Sequence, residues 1–125
     1  MPSITKKHNP RNPQRGEVWS VNFEPATGCE MQKKRPAVVI SSDFLGKLPL
    51  KIVVPITEWK ETYAKRNWHV RIQRNAANGL VKDSSADALQ VRAVTTERFC
   101  KKYGILAPAQ LEEITLAVAV LIELK

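Results

Sequence analysis

The chain of 125 residues reads as a mostly β protein, a small and strongly bent antiparallel barrel capped by a C-terminal helix. Three observations predict this. Short runs that are β-branched or alternate apolar with polar recur along the chain, separated by turn residues. Two of them, Pro36 to Ser41 and Ile52 to Thr57, flank a segment holding Asp43, Gly46 and Pro49, which is turn chemistry. Only one stretch, Pro108 to about Glu123, carries a convincing helical pattern.

Residues 1–15 hold Pro2, Pro10 and Pro13 with little to bury, and read as a disordered basic lead-in to a single domain over 16–125. They contribute Lys6, Lys7, Arg11 and Arg15 and no acid, +4 of the net +8. Two readings of this tail stand, a solubilising segment and a nucleic-acid contact. In Glu17 to Phe23, alternation sets Trp19, Val21 and Phe23 on one face and Ser20 and Asn22 on the other, a half-buried strand. The polar loop Glu24–Lys34 follows, and its 11 residues are long for a hairpin.

Pro36 marks the entry of the next strand and puts Arg35 at its mouth, with Lys33 and Lys34 just before it. If this run pairs with Ile52 to Thr57 as a hairpin, positions 35 and 57 are symmetric about Gly46. Arg35 and Thr57 then lie side by side at one end of the sheet, where an arginine and a hydroxyl can hold a phosphate. Residues 58–67 leave helix and loop open. Trp68 to Ile72 alternates, with Trp68, Val70 and Ile72 inward and His69 on the polar, solvated face. Asn78-Gly79 marks a turn. Leu80-Val81 and Ala86 to Val94 read as short strands, the second with Gln90 and Arg92 on one face and Asp87, Leu89 and Val91 on the other. Thr95 to Phe99 reads as a single helical turn and Lys101 to Leu106 as an edge strand or connector. The final helix is apolar on more than one side, so it either covers a second surface as well as the barrel or is sunk within its own domain.

Charge, cysteines and histidines narrow the chemistry. The chain has no apolar run near the roughly 20 residues that cross a bilayer and no secretory segment, which predicts a cytoplasmic protein. Cys29 and Cys100 are isolated, so a disulfide is not expected. There is no Gly-rich phosphate loop, no metal-ligand spacing, no Ser-His-Asp order and no histidine pair, so no metal or cofactor is expected. Arg35 can stabilise a pentacoordinate phosphate and Thr57 can orient it. That suits RNA, whose own 2′-hydroxyl is the nucleophile, and not DNA. Glu30, in the long loop, either is solvated or reaches the same end of the sheet as a base. Arg92 either makes a structural ion pair or binds phosphate, and Asp87 reads as a hydrogen-bonded structural acid.

The ordered set Arg15 to Pro25, Gly28-Cys29-Glu30, Lys34 to Ser41, Val54-Pro55-Ile56-Thr57, Gly79 to Ser84 and Gln90 to Val94, with the final helix, resembles the MazF/PemK (Kid) group of toxin endoribonucleases of bacterial toxin–antitoxin systems. The resemblance spans about 110 residues. It implies an SH3-like, partly open barrel of the CcdB/PemK toxin type, and a homodimer formed through the C-terminal helix and neighbouring strands. It implies metal-independent cleavage of single-stranded RNA at a short sequence, leaving a 2′,3′-cyclic phosphate, and a cognate antitoxin that lays an acidic segment over the RNA groove. The group's catalytic arginine, threonine and loop glutamate fall on Arg35, Thr57 and Glu30. Its glutamine and arginine fall on Gln90 and Arg92, and the chain's own Lys33 and Lys34 join them as expected RNA contacts. Many members carry a carboxylate just before the glutamine, where this chain has Leu89. Two rivals share the fold: a gyrase-poison-like module that binds a protein, and a degenerate relative that binds RNA or antitoxin without cutting.

Overall fold

The structure, a computed structural model, describes residues 12–24 and 34–124. Seven antiparallel strands form one curled sheet. They are β1 (Glu17–Asn22), β2 (Lys34–Val39), β3 (Leu50–Glu58), β4 (His69–Ile72), β5 (Ser84–Asp87), β6 (Arg92–Thr95) and β7 (Phe99–Ile105). Their order is β4-β5-β3-β2-β1-β7, and β6 pairs with the first half of β3. The helix α1 (Pro108–Leu121) follows. This is the expected open barrel with one terminal helix. Glu30 and Lys33, and Cys29 beside them, lie outside the described residues.

The β2–β3 hairpin forms in the register that its turn predicts. Ala37 faces Pro55, Val38 faces Val54 and Val39 faces Val53. Two steps further out, that register sets Arg35 opposite Thr57. Ser42 caps a short 3-10 turn over Asp43–Leu45, and Gly46 closes it at φ 63°, where a side chain would be strained. The backbone N–H of Arg15 donates to the Asp43 carboxylate at 2.7 Å, tying the start of the domain to this turn.

Both faces of the central strands are buried. One face carries Val18, Val38, Val54 and Ile56 into a core shared with Val70, Ile72, Leu80 and Ile114 of α1. The other carries Val21, Ala37, Val39 and Val53 into a core with Val94 and Phe99, where Trp19 meets Phe99 edge-on at 5.8 Å. The expectation of a half-buried first strand is therefore corrected: Val18, Ser20 and Asn22 are as buried as Val21. Alternation in β1 reflects two different cores, not core and solvent.

Three further expectations change. Leu80-Val81 form no strand. Asn78 instead braces this loop, its amide oxygen accepting from Asn75 N–H at 3.1 Å and Leu80 N–H at 3.0 Å. Gly79, at φ 69°, is required there, because a Cβ would lie 2.1 Å from the Tyr103 carbonyl oxygen. The run Ala86 to Val94 is broken by a 3-10 turn at Ala88–Gln90, because the Asp87 carboxylate accepts from Leu89 N–H at 3.2 Å and caps it. Cys100 on β7 is disulfide-bonded, against the expectation of unpaired thiols.

Residues 61–65 adopt a 3-10 turn, and Thr96–Arg98 forms the expected single turn. Pro108 opens α1 at its first turn. Of the helix residues only Ile114 is fully buried, while Leu116 and Val120 remain more than half exposed. The helix is not sunk in the domain.

Candidate active site

Arg35 and Thr57 come together because opposite residues of an antiparallel pair share a face. They stand on the face of β2 and β3 that holds Ala37, Val39 and Val53, at the end where apolar positions stop. Both residues line two hollows. One, of about 330 Å³, is shared with Phe23, Tyr63, Asp87, Gln90 and Arg92. The other, of about 460 Å³, is shared with Leu80, Val81, Lys82 and Tyr103. Arg35 and Thr57 therefore form the ridge between them.

Arg92 is paired with Val53 and shares its face. Its guanidinium lies 5.1 Å from the centre of the Phe23 ring, a cation–π contact. Among the described residues no carboxylate stands within ion-pair distance of it. Gln90 ends the 3-10 turn after β5 and reaches the same cleft, so Gln90 and Arg92 share a face as the alternation predicts, although no continuous strand carries them. Lys34 is exposed at the start of β2 and lines neither hollow.

Sequence reasoning missed the back wall. His69 was expected in solvent, yet its side chain is only 3% exposed. Its ring stacks on Tyr63 at 3.8 Å with planes 6° apart, and its Nδ1 is 2.8 Å from the Ser85 hydroxyl. Its Nε2 is 3.9 Å from an oxygen of Asp87, whose side chain is 22% exposed. Burial pushes the His69 imidazole below its usual range, Asp87 opposes this, and Arg66 adds to it. The correction has a simple cause. Tyr63 of the 61–65 turn lies over His69, and a strand's own alternation does not report what lies over it. Asp87 is the only carboxylate among the described residues lining the smaller hollow. Leu89, where a carboxylate was looked for, is 56% exposed and lines neither hollow.

Among the described residues no group of three His, Cys, Asp or Glu gathers to hold a metal. The smaller hollow presents two guanidiniums, a hydroxyl, an amide and one carboxylate beside Phe23 and Tyr63, and the larger adds Lys82, Glu58 and Tyr103. That set suits a nucleic-acid phosphate with bases on either side.

A small open antiparallel barrel with a C-terminal helix, and a cleft of charged residues at its strand ends, places the chain among the compact toxin-type barrels. Residues 14–122 match the family model of the PemK-like, MazF-like toxin of type II toxin–antitoxin systems. The chain belongs to this family. It is 33% identical over 107 residues to endoribonuclease MazF9 of Mycobacterium tuberculosis, covering 81% of this chain and 88% of that protein. It is 28% identical over 113 residues to the endoribonuclease toxin ChpB of Escherichia coli, covering 88% and 94%. In fold it is similar to the crystal structure of MazF from Deinococcus radiodurans, with TM-score 0.71, 20% identity, and 91% and 99% of the two chains covered. A mycobacterial endoribonuclease in complex with its cognate antitoxin gives TM-score 0.71 at 16% identity, with 91% and 98% covered.

Proposed function

We propose that this chain is a sequence-specific, metal-independent endoribonuclease toxin that cleaves single-stranded RNA and is held in check by a cognate antitoxin. The observation that carries the reading is that Arg35 and Thr57 line both hollows and form the ridge between them. A scissile phosphate on that ridge would have one nucleotide in each hollow. The Arg35 guanidinium stabilises the charge that builds on the phosphoryl oxygens, and the Thr57 hydroxyl orients it. Gln90 and Arg92 hold the strand on one side, and Lys33 and Lys34 add phosphate contacts. Glu30, which the family resemblance implies as catalytic, stays part of the proposed site. The 2′-hydroxyl attacks, giving a 2′,3′-cyclic phosphate and a 5′-hydroxyl.

The net charge of +8 favours both polyanionic RNA and an acidic antitoxin segment. Family relatives solved with their antitoxins support the second partner. The uncovered apolar residues Leu50, Ile52, Leu116 and Val120 support self-association through α1 and the neighbouring strands. The domain is taken as 16–125 behind a basic lead-in. Among the described residues no helix is long and apolar enough to cross a membrane, and a cytoplasmic site of action is part of the proposal.

The test is cleavage of a long single-stranded RNA in EDTA by the wild type and by Arg35→Ala. The expected result is cutting at a repeated short motif by the wild type and a rate about 10²–10³-fold lower for the variant. A folded wild type that binds RNA without cutting it would favour the non-catalytic reading, to which Leu89 lends support.

A further inference from the structure

We propose that Asp87 is the general base of this chain, with His69 as its positioning residue. The inference rests on the ribonuclease reading above. Asp87 supplies the carboxylate that Leu89 cannot.

Three observations place Asp87 for this task. It lines the hollow that also holds Arg35, Thr57, Gln90 and Arg92, and no other described carboxylate does. Its two oxygens face different ways. One caps the 3-10 turn through Leu89 N–H at 3.2 Å, and the other lies 3.9 Å from His69 Nε2. One oxygen is thus hydrogen-bonded at its back, the other stands beside His69 beyond hydrogen-bond reach, and the 22% exposed carboxylate lines the hollow. His69 is fixed in turn by the Tyr63 ring at 3.8 Å and the Ser85 hydroxyl at 2.8 Å. A buried side chain with two such restraints and no exposed edge is poorly explained as solvent-facing decoration. As a support for a cleft-facing acid it has a function.

The step balances. The 2′-hydroxyl proton passes to the Asp87 carboxylate as the O2′–P bond forms. The P–O5′ bond breaks, and the departing 5′ oxygen takes a proton from water. Asp87 then returns its proton to solvent. The groups facing Asp87 are Arg35 from β2, Tyr63 from the 61–65 turn, His69 from β4 and Arg92 from β6. His69 stays neutral to lower pH than a free imidazole, because burial disfavours its charge.

The experiment compares wild type, Asp87→Asn, Asp87→Glu and Glu30→Gln in single-turnover cleavage of one RNA across pH 5–9, with RNA binding measured alongside. Asparagine keeps an acceptor for Leu89 N–H, so the turn survives. Asp87→Ser, which can cap the same turn, is the substitute if melting shows otherwise. The expected result is a loss of about 10²-fold or more for Asp87→Asn. RNA binding is retained, the acid limb of the pH profile disappears, and Asp87→Glu recovers part of the rate. Asp87→Asn cutting within a few-fold of wild type overturns the proposal. So does a loss that tracks weakened RNA binding with the pH profile intact, or an acid limb abolished by Glu30→Gln alone. A wild type that cuts no RNA while folded overturns the ribonuclease reading, and the base goes with it.

Discussion

The two ends of β3 do opposite things. At its finish, Thr57 stands in a polar cleft among Arg35, Asp87 and Arg92. At its start, Leu50 and Ile52 are about two-fifths exposed while Lys51 between them is 2% exposed, its ammonium donating to the Gly46 carbonyl at 3.1 Å. Leu50 and Ile52 share the face of Val54 and Ile56, which are buried under the first core. The face stays apolar along the strand, but its cover runs out. At the other end the cover is complete and the opposite face turns polar. One strand therefore offers chemistry at one end and an uncovered apolar surface at the other. The lesson is that exposure of a hydrophobic face marks a missing partner, whereas a cluster of charge at a strand end marks a ligand.

Thr57→Val should separate the two ends most strongly. It keeps shape and removes the hydroxyl, so RNA cleavage is expected to fall by about 10²-fold, with the oligomeric state unchanged on sizing by light scattering. Ile52→Asp is the converse change. It places a charge on the uncovered face and is expected to weaken self-association at least about tenfold, roughly 1.4 kcal/mol, while each folded protomer keeps the cleft. Sedimentation across a concentration series reads this directly. If Ile52→Asp leaves association intact, the dimer surface lies elsewhere.

The smallest effect concerns the back wall of the cleft. Because burial lowers the His69 value, its contribution to stability is complete above the unfolded imidazole value near 6.5. It is lost as pH falls through that value toward the lower folded one. The slope for one proton is at most about 1.4 kcal/mol per pH unit. Urea melts between pH 5 and 7.5 should show it for wild type and not for His69→Gln. Glu17 acts in a lower window. Burial raises its value, but hydrogen bonds from Gln14 N–H, Trp19 and Lys102 outweigh this and leave it lowered. Its contribution is present above the usual carboxylate range and is lost as pH falls through the folded value.

Several features were legible without coordinates. The turn at Gly46 fixed the β2–β3 register, and with it the meeting of Arg35 and Thr57. The terminal helix could be placed from Pro108 and its apolar spacing. Local chemistry suffices for these, because a hairpin turn and a helix start are decided by residues close in sequence. Other features were decided by contacts between distant residues. His69 looked solvated until the 61–65 turn lay over it. Asp87 is the hydrogen-bonded acid its sequence context predicts, but only the 3-10 turn that it caps places it in the lining of the cleft. The run from Ile52 reads as a strand, but only the packing leaves Leu50 and Ile52 uncovered and sinks Lys51 between them. The sequence by itself set the periodicity of each element and the residues able to bind phosphate. The tertiary structure alone decided which face each element buries and what surrounds each functional group, because burial belongs to the packing of elements and not to any one of them.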